Sequence, residues 1–476
     1  MKKLFCIALS ILMLLGLAAC GGSESAAGSK ETTKAPASGF QVGYARVDVT
    51  PTESVPMGGY GNSLERMSTG MNSYLYLNVL ALNDGTNTLL LLSIDHGWFG
   101  SPIGTPIIKE ITEKFGIPEE YILMQGTHTH AGPDTSQTED TNLASYNTNT
   151  VQLAVQAVDA ALEDLKPAEI YVGSVETQNM NFVRRYIMDD GSLIGDNYPG
   201  TGTKIVSHET EADNEMQLMK FVREGGEDVL VMNFQAHPQL ETRSTNLSGQ
   251  TPYFMRDSVE KRLGIKTTYW QGAAGNINST SRIESEIRTD NRVEYGEIMA
   301  DYVEAAYHSM EKVNAGPIQV IHEKVTCKVD HSEDHLVSVA TEINSIWKST
   351  NSTGKAMAVA GDSGIASVYH ASAILTRAGM GDTKDIPIAA FSFGDVGGVV
   401  VPYEMFDTSG MQIKSGSPFA RTFIFGYARP GSFSYMPDAE AYKNIGYEGN
   451  QCRYVPGTAE QLVDEYLGML ESMHGK

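Results

Sequence analysis

One pattern constrains the fold more than any other: short apolar runs bounded by turn residues alternate with longer segments of helical spacing along almost the whole chain. Val42 to Val49 reads as a strand closed by Thr50-Pro51. Leu75 to Leu82 and Leu89 to Ile94 read as two strands joined around Asp84-Gly85, a hairpin signal. Pro106 to Phe115 has helical spacing and stops at Gly116-Ile117-Pro118. Tyr121 to Met124 reads as a short buried strand. Leu143 to Leu165 reads as a long amphipathic helix, apolar at Val151, Ala154, Val155, Val158 and Leu162. Met216 to Val222 and Val229 to Phe234 flank Gly225-Gly226 as a second hairpin. Pro252 to Leu263 and Val293 to Met310 read as helices, Ile388 to Phe393 (just after Pro387) and Ala420 to Tyr427 as strands, and Ala459 to Met473 as a closing helix. Hairpins together with helix-separated strands predict an α/β (mixed α+β) fold: one large domain with a mixed β-sheet and flanking helices. Ser349 to Gly364, rich in Ser, Thr and Gly, reads as a surface excursion rather than a domain boundary.

The first 39 residues stand outside that pattern. Lys2 and Lys3 precede an apolar run from Leu4 to Leu15, too short to span a bilayer comfortably and suited to a cleavable signal over residues 1–19. Its end, Leu17-Ala18-Ala19-Cys20, resembles the bacterial lipobox. That resemblance implies lipidation of Cys20 and a membrane-anchored lipoprotein of the cell envelope, facing outside the cytoplasm. Residues 20–39, rich in Gly, Ser, Ala and Thr, then act as a flexible tether, which leaves residues 40–476 to fold. There is no second long apolar run, so the folded part is expected outside the membrane. With 35 Lys and Arg against 58 Asp and Glu, the formal charge of −23 argues against a nucleic-acid partner. Beyond Cys6 and Cys20 only Cys327 and Cys452 remain, either as one disulfide or as two buried thiols.

The sharpest chemical motif is Gln125-Gly126-Thr127-His128-Thr129-His130-Ala131-Gly132-Pro133, directly after the strand Tyr121 to Met124. In an extended chain, residues two apart point to one side, so His128 and His130 would project together at a strand end. Neutral imidazoles on one face can bind or support a metal, though two hydrogen-bonded surface histidines would read the same way. His237, in Phe234-Gln235-Ala236-His237-Pro238, also follows a strand, and Glu404 follows the turn Gly394-Asp395-Val396-Gly397-Gly398. Either one alone is more often structural than functional.

Taken together, five stretches resemble the neutral ceramidase family in order. They are Gly43-Tyr44-Ala45-Arg46-Val47-Asp48-Val49-Thr50-Pro51 with Gly58-Gly59-Tyr60-Gly61, then Gly126 to Pro133, then Ala236-His237-Pro238, then Gln271-Gly272-Ala273-Ala274-Gly275-Asn276, and last Pro402-Tyr403-Glu404 with Gly426-Tyr427-Ala428 and Tyr435. The resemblance implies a catalytic zinc (Zn2+) held by His128, His237, Glu404 and Tyr435, Tyr435 being placed by Ser434-Tyr435-Met436-Pro437. It implies hydrolysis of an amide in a small amphipathic amide or N-acyl lipid such as ceramide. Zinc can lower the pKa of a water to roughly 7, which supplies hydroxide at neutral pH. By the same resemblance His130 polarises the carbonyl or shuttles a proton, and Arg185, in Arg184-Arg185-Tyr186, matches an arginine at the site, a role that either arginine fits.

The chain departs from the family at Gly275-Asn276-Ile277-Asn278-Ser279, where the ceramidases carry Gly-Asp-x-Ser-Pro. Asn278 has no hydroxyl nucleophile to offer, but it can donate a hydrogen bond to an oxyanion. The family's C-terminal immunoglobulin-like domain is not expected either. These departures keep two alternatives open: a zinc hydrolase of another amide, such as an N-acylated sugar or cell-wall fragment, and a non-catalytic binding lipoprotein, against which the intact set of candidate ligands argues.

Overall fold

The strand Thr88–Ile94 (TLLLLSI) shows how the core is made. Leu89 and Leu91 enter one apolar cluster while Leu90, Leu92 and Ile94 enter another. A strand buried on both faces reads as a continuous apolar run, because each face of the pleat needs its own set of side chains. In the computed structural model this strand lies in a nine-stranded mixed sheet. The structure describes residues 39–60, 66–136, 140–195, 203–240, 243–429, 434–444 and 446–475. The signal segment, Cys20 and the tether as far as residue 38 lie outside the described residues, as does Gly61 of the Gly58-Gly59-Tyr60-Gly61 stretch.

The large sheet runs in the order Lys266–Gln271, Val229–Phe234, Glu215–Arg223, Lys166–Glu176, Gln41–Asp48, Tyr76–Asn83, Thr88–Ile94, Ile122–Gly126, with Glu311–Val313 also paired to Lys166–Glu176. A four-stranded sheet, Ile318–Lys328, Thr383–Phe393, Val396–Val400 and Arg421–Phe425, packs on it. Leu80, Leu82, Leu91 and Phe221 of the large sheet meet Phe391, Phe393, Phe423 and Phe425 of the small one in a single cluster. Trp270, fully buried there, meets Phe391, Phe423 and Phe425 edge to face with ring centroids 6.3, 6.0 and 5.2 Å away. Each such contact contributes about 0.5–1.5 kcal/mol beyond burial. Helices Ser101–Phe115, Thr141–Glu163, Gln250–Leu263 and Arg292–Tyr307 cover the outer face of the large sheet. Asp407–Gly416 and Thr458–Met473 cover that of the small sheet. The result is four layers, helix–sheet–sheet–helix, which is the mixed α/β architecture expected. Among the described residues, no helix is long and apolar enough to cross a membrane.

Both expected hairpins form, Leu77 pairing Ile94 and Phe221 pairing Val229 in antiparallel register. Three local expectations are corrected. The helix expected from Pro106 begins at Ser101, with Pro106 inside it. Pro106 lies in the second turn, where its missing N–H removes one bond near a helix end rather than in mid-helix. The strand expected after Pro387 begins at Thr383 and runs through it. At Pro387 that strand pairs only Ile318–Lys328, its second partner joining from Ala389 onward, so the site is an edge and tolerates a proline. Ser349 to Gly364 is not a loose excursion. It continues helix Val337–Thr350 into helix Thr353–Met357, and both pack with Val368–Ala378 around Ala340, Ile343, Ala356, Val368 and Ile374. The three form a small helical cap with a core of its own. Cys327 and Cys452 are two buried free thiols.

Candidate metal centre

Three parallel strand pairs aim their C-terminal ends at one place. Thr88–Ile94 runs parallel to Ile122–Gly126, Val229–Phe234 to Lys266–Gln271, and Val396–Val400 to Arg421–Phe425. The segments that leave these ends carry His128 and His130, then His237, then Asn278, then Glu404, then Tyr427. Loops beyond the carboxyl ends of parallel strands are where α/β proteins assemble sites, because the chains diverge there and leave a crevice.

The approach of His128 and His130 differs from the extended chain expected. The strand ends at Gly126, and His128 has a left-handed backbone with φ 64°. A non-glycine residue held there costs on the order of 1–3 kcal/mol, and its surroundings must hold it. The His128 amide donates to His96 O at 2.9 Å, the Thr129 hydroxyl to Ser248 O at 2.6 Å, and the His130 amide to Gln250 Oε1 at 2.8 Å. Tyr427, itself at φ 51°, stacks on His128 with ring centroids 4.0 Å apart. The turn at His128, not strand alternation, brings the two imidazoles together, Nε2 to Nε2 at 3.2 Å. Gly59 of the Gly58-Gly59-Tyr60 stretch lies against His130, where a Cβ would fall 2.6 Å from the ring's Cγ. Only glycine leaves room for that ring.

The histidines are oriented from behind. His128 Nδ1 donates to Gly97 O at 3.0 Å, and His237 Nδ1 donates to Ala274 O at 2.8 Å. A carbonyl can only accept, so each ring carries its proton on Nδ1 and presents a bare Nε2. Burial pushes His128 down to about 3, with Glu404 pulling the other way, and pushes His237 well below the usual range, so both rings are neutral at pH 7. Their Nε2 atoms face each other at 3.1 Å. Glu404 Oε2 lies 3.2 Å from His237 Nε2 and 3.6 Å from His128 Nε2, and has no hydrogen-bond donor among the described residues. Burial raises the Glu404 carboxyl, and His128, Arg184, Tyr435 and Tyr427 pull it back down. Three lone-pair atoms therefore converge with no proton between them. A cation satisfies such a set, and the ring nitrogens of His128, His130 and His237 all lie within 4.8 Å of one another, close enough to hold a metal ion together.

His130 differs from the other two. Its Nδ1 takes the Gln239 amide at 2.6 Å, which puts the proton on Nε2, facing His128. Tyr435 pairs Glu404 directly in the short parallel ladder Glu404–Met405 with Tyr435–Met436. Burial and the neighbouring Glu404 raise its hydroxyl well above the usual tyrosine range, so with no cation present it keeps its proton.

The two arginines part ways. Arg184 lines the chamber: it donates to Glu448 Oε1 at 2.8 Å, Gly275 O at 2.8 Å and Asn278 Oδ1 at 3.4 Å, and lies over the Tyr435 ring. Arg185, named for this role from the sequence, is fully buried among Glu209, Glu448 and Ala441 O and does not line the chamber. Arg184 sits in the bend between the strands Phe182–Val183 and Arg185–Met188, and the turn of the chain there sends the two side chains to different places. Asn278 lines the chamber beside His237. Asn276 does not. Its amide donates to Asp407 Oδ1 at 2.7 Å and its carbonyl oxygen accepts from the Asp407 amide at 3.0 Å, fixing the first turn of helix Asp407–Gly416. Gly275 lets this turn pass, since a Cβ there would fall 2.6 Å from Glu404 O. Sequence reasoning gave no role to Gln239, although it lies two residues after His237, nor to Trp347, Tyr369 and Tyr447, for which no local signal exists.

The chamber measures about 620 Å³ and is lined by His128, His130, Arg184, Asn278, Glu404 and Tyr435 among others. A second polar cavity of about 590 Å³ around His208 and Glu286 includes none of these candidates.

Residues 40–249 match the family described as neutral/alkaline non-lysosomal ceramidase, N-terminal. That span holds His128, His130 and His237 and stops short of Glu404 and Tyr435. The neutral ceramidase from Pseudomonas aeruginosa has a similar structure, with a TM-score of 0.69 at 17% identity over 92% of this chain and 75% of that one. A structure described as ceramidase complexed with C2 is similar at a TM-score of 0.68 and 16% identity, over 91% of this chain and 75% of that one. At these identities the likeness establishes a shared fold.

Proposed function

We infer, from the match of residues 40–249 to the neutral/alkaline non-lysosomal ceramidase family, that this protein is a zinc-dependent hydrolase cleaving the amide bond of an N-acyl compound. The observation that carries the reading is the convergence of His128 Nε2, His237 Nε2 and Glu404 Oε2 with no proton between the three, both imidazoles being pinned by carbonyls behind them. Two neutral imidazoles and a carboxylate suit zinc, with Tyr435 as a fourth ligand beside Glu404. When bound, zinc supplies Lewis acidity and makes hydroxide available near neutral pH.

The chain's own groups supply the rest. His130, held through Nδ1 by Gln239, gives or takes a proton at Nε2 on the chamber side of His128. Asn278 and the Arg184 guanidinium steady negative charge as it builds on the carbonyl oxygen. Glu448 holds Arg184 through a buried ion pair, so this charge is placed before substrate arrives.

Elemental analysis of the purified full chain, with wild type and Glu404→Ala compared, tests the reading. About one zinc per wild-type chain is expected, lost in the variant, together with release of free amine from N-acyl amides, ceramide among them. Wild-type protein that holds no zinc after purification without chelator, and takes none up when it is added, would return the chain to the binding-lipoprotein reading.

A further inference from the structure

A file of aromatic rings leads from the helical cap to the metal centre. Trp347 and Tyr369, both from the cap, meet edge to face with centroids 5.5 Å apart. Tyr369 meets Tyr447 at 6.4 Å, and Tyr447 meets Tyr435 at 5.6 Å. All four line the same chamber as His130 and Glu404. Tyr60 and Trp98 add two more rings, and the remaining side chains are polar, with Asp134, Arg243, Gln239 and Gln451 added to the groups already described. Gln451 Nε2 is a buried donor with no partner among the described residues. Among the described lining residues there is no Leu, Ile, Val or Met.

That composition selects a chemistry. A fatty acyl chain gains most from aliphatic walls and leaves buried polar groups unsatisfied. A hydroxylated ring does the opposite: its C–H faces lie on aromatic rings while its hydroxyls take up buried donors and acceptors. The acyl side points the same way. A second cavity of about 60 Å³ opens beside His128 and Glu404, lined also by Trp98, Pro402 and Tyr403. It is about a tenth the size of the chamber, which suits a short acyl end better than a long chain.

Resting on the amide-hydrolase reading above, we propose that the substrate joins a short acyl group to the amine of a hydroxylated ring, an amino-sugar type of amide, and that Trp347 and Tyr369 of the cap set this specificity. In the reaction water adds its oxygen to the acyl carbon and the C–N bond breaks. The nitrogen takes a proton, giving a short carboxylate and a free ring amine.

The test uses the zinc-loaded full chain with N-acetylglucosamine and its disaccharide against short- and long-chain N-acylsphingosines in detergent. The expected result is a kcat/KM for the disaccharide at least about tenfold above that for long-chain ceramide. Trp347→Ala and Tyr369→Ala should each raise KM for the disaccharide about tenfold and leave kcat within about twofold, whereas Trp347→Phe, which keeps a ring, should restore most of the loss. A second arm needs no turnover: titrating the disaccharide into metal-free protein should change indole emission in wild type and much less in Trp347→Phe. A sugar response without hydrolysis of any amide would sink the amidase reading and leave the ring site standing. Ceramide turnover with neither turnover of nor response to the sugar would do the reverse, and overturn the proposal. So would Trp347→Ala and Tyr369→Ala variants that handle the disaccharide as wild type does.

Discussion

His128 and His237 leave the ends of strands inside the nine-stranded sheet, whereas Trp347 and Tyr369 ride on helices whose apolar contacts are largely with one another. The first pair is no more than 3% exposed, each ring fixed by a carbonyl and the segments around it bound to several elements. The second pair sits on a three-helix cap with its own core, held to the body partly through Arg377, which donates to the Cys452 carbonyl at 2.8 Å and pairs Glu333. Chemistry that tolerates little misplacement is built into the sheet. On the proposal above, recognition of the rest of the substrate falls to an element with a core of its own. This is the division seen when a scaffold positions a site and appended segments choose its ligand.

The sharpest way to break that contrast is to damage each region in turn. His237→Ala removes a ligand from the floor and should abolish zinc binding and hydrolysis while the far-ultraviolet spectrum stays native. Ile343→Ala removes a fully buried side chain from the cap core and should cost about 2–5 kcal/mol of local stability. Its expected signature is a raised KM with about one zinc per chain retained. Zinc lost from both variants would mean that cap and floor fold as one unit, and the contrast would fail.

A smaller effect separates support from chemistry within the floor itself. Asn276→Ala removes both hydrogen bonds to Asp407 and should lower stability by about 1–3 kcal/mol with zinc content unchanged. The pH dependence carries a sign. Burial holds the Asp407 carboxyl at about 6, above its ordinary 3.8, so the folded chain binds this proton more tightly than the unfolded one. The stability contributed by this group is full below the ordinary value and is lost as pH rises through about 6. Asn276 opposes the shift, so its removal should steepen the fall in melting temperature between about pH 5 and pH 7. A flat profile in both proteins would contradict the burial of an ionising Asp407.

How far the sequence reached follows the same division. The hairpins were legible because strand alternation and Asp84-Gly85 are local signals, and the histidine motif because it follows an apolar strand. Convergence of the two imidazoles was legible, but its cause was not, since a left-handed His128 is imposed by contacts from His96, Ser248 and Gln250. Choosing between Arg184 and Arg185 required the bend between two short strands, which nothing local in the sequence marks. Ser349 to Gly364 reads as a surface excursion because Ser349-Thr350-Asn351-Ser352-Thr353-Gly354 has a turn composition, although it only separates two helices of the cap. Nothing local marks Trp347 or Tyr369, which meet the site only through packing of distant segments.

The two thiols offer the gentlest probe of the contrast. Both side chains lie in the apolar cluster of the small sheet, Cys327 on the strand Ile318–Lys328 and Cys452 at its border with the cap, where Arg377 holds its carbonyl. Burial pushes the Cys327 thiol up to about 11 and raises that of Cys452 as well, so neither forms thiolate readily in the native protein. A chain beginning at Gly39 should therefore react with a thiol reagent only when it opens. Local opening costs less where fewer elements must separate. In sub-denaturing urea Cys452 should react several-fold faster than Cys327, the difference vanishing at full unfolding. Equal rates throughout would show that the border with the cap opens only with the rest of the small-sheet core. Absence of both thiols in the unfolded chain, reversed by reductant, would show a disulfide in their place.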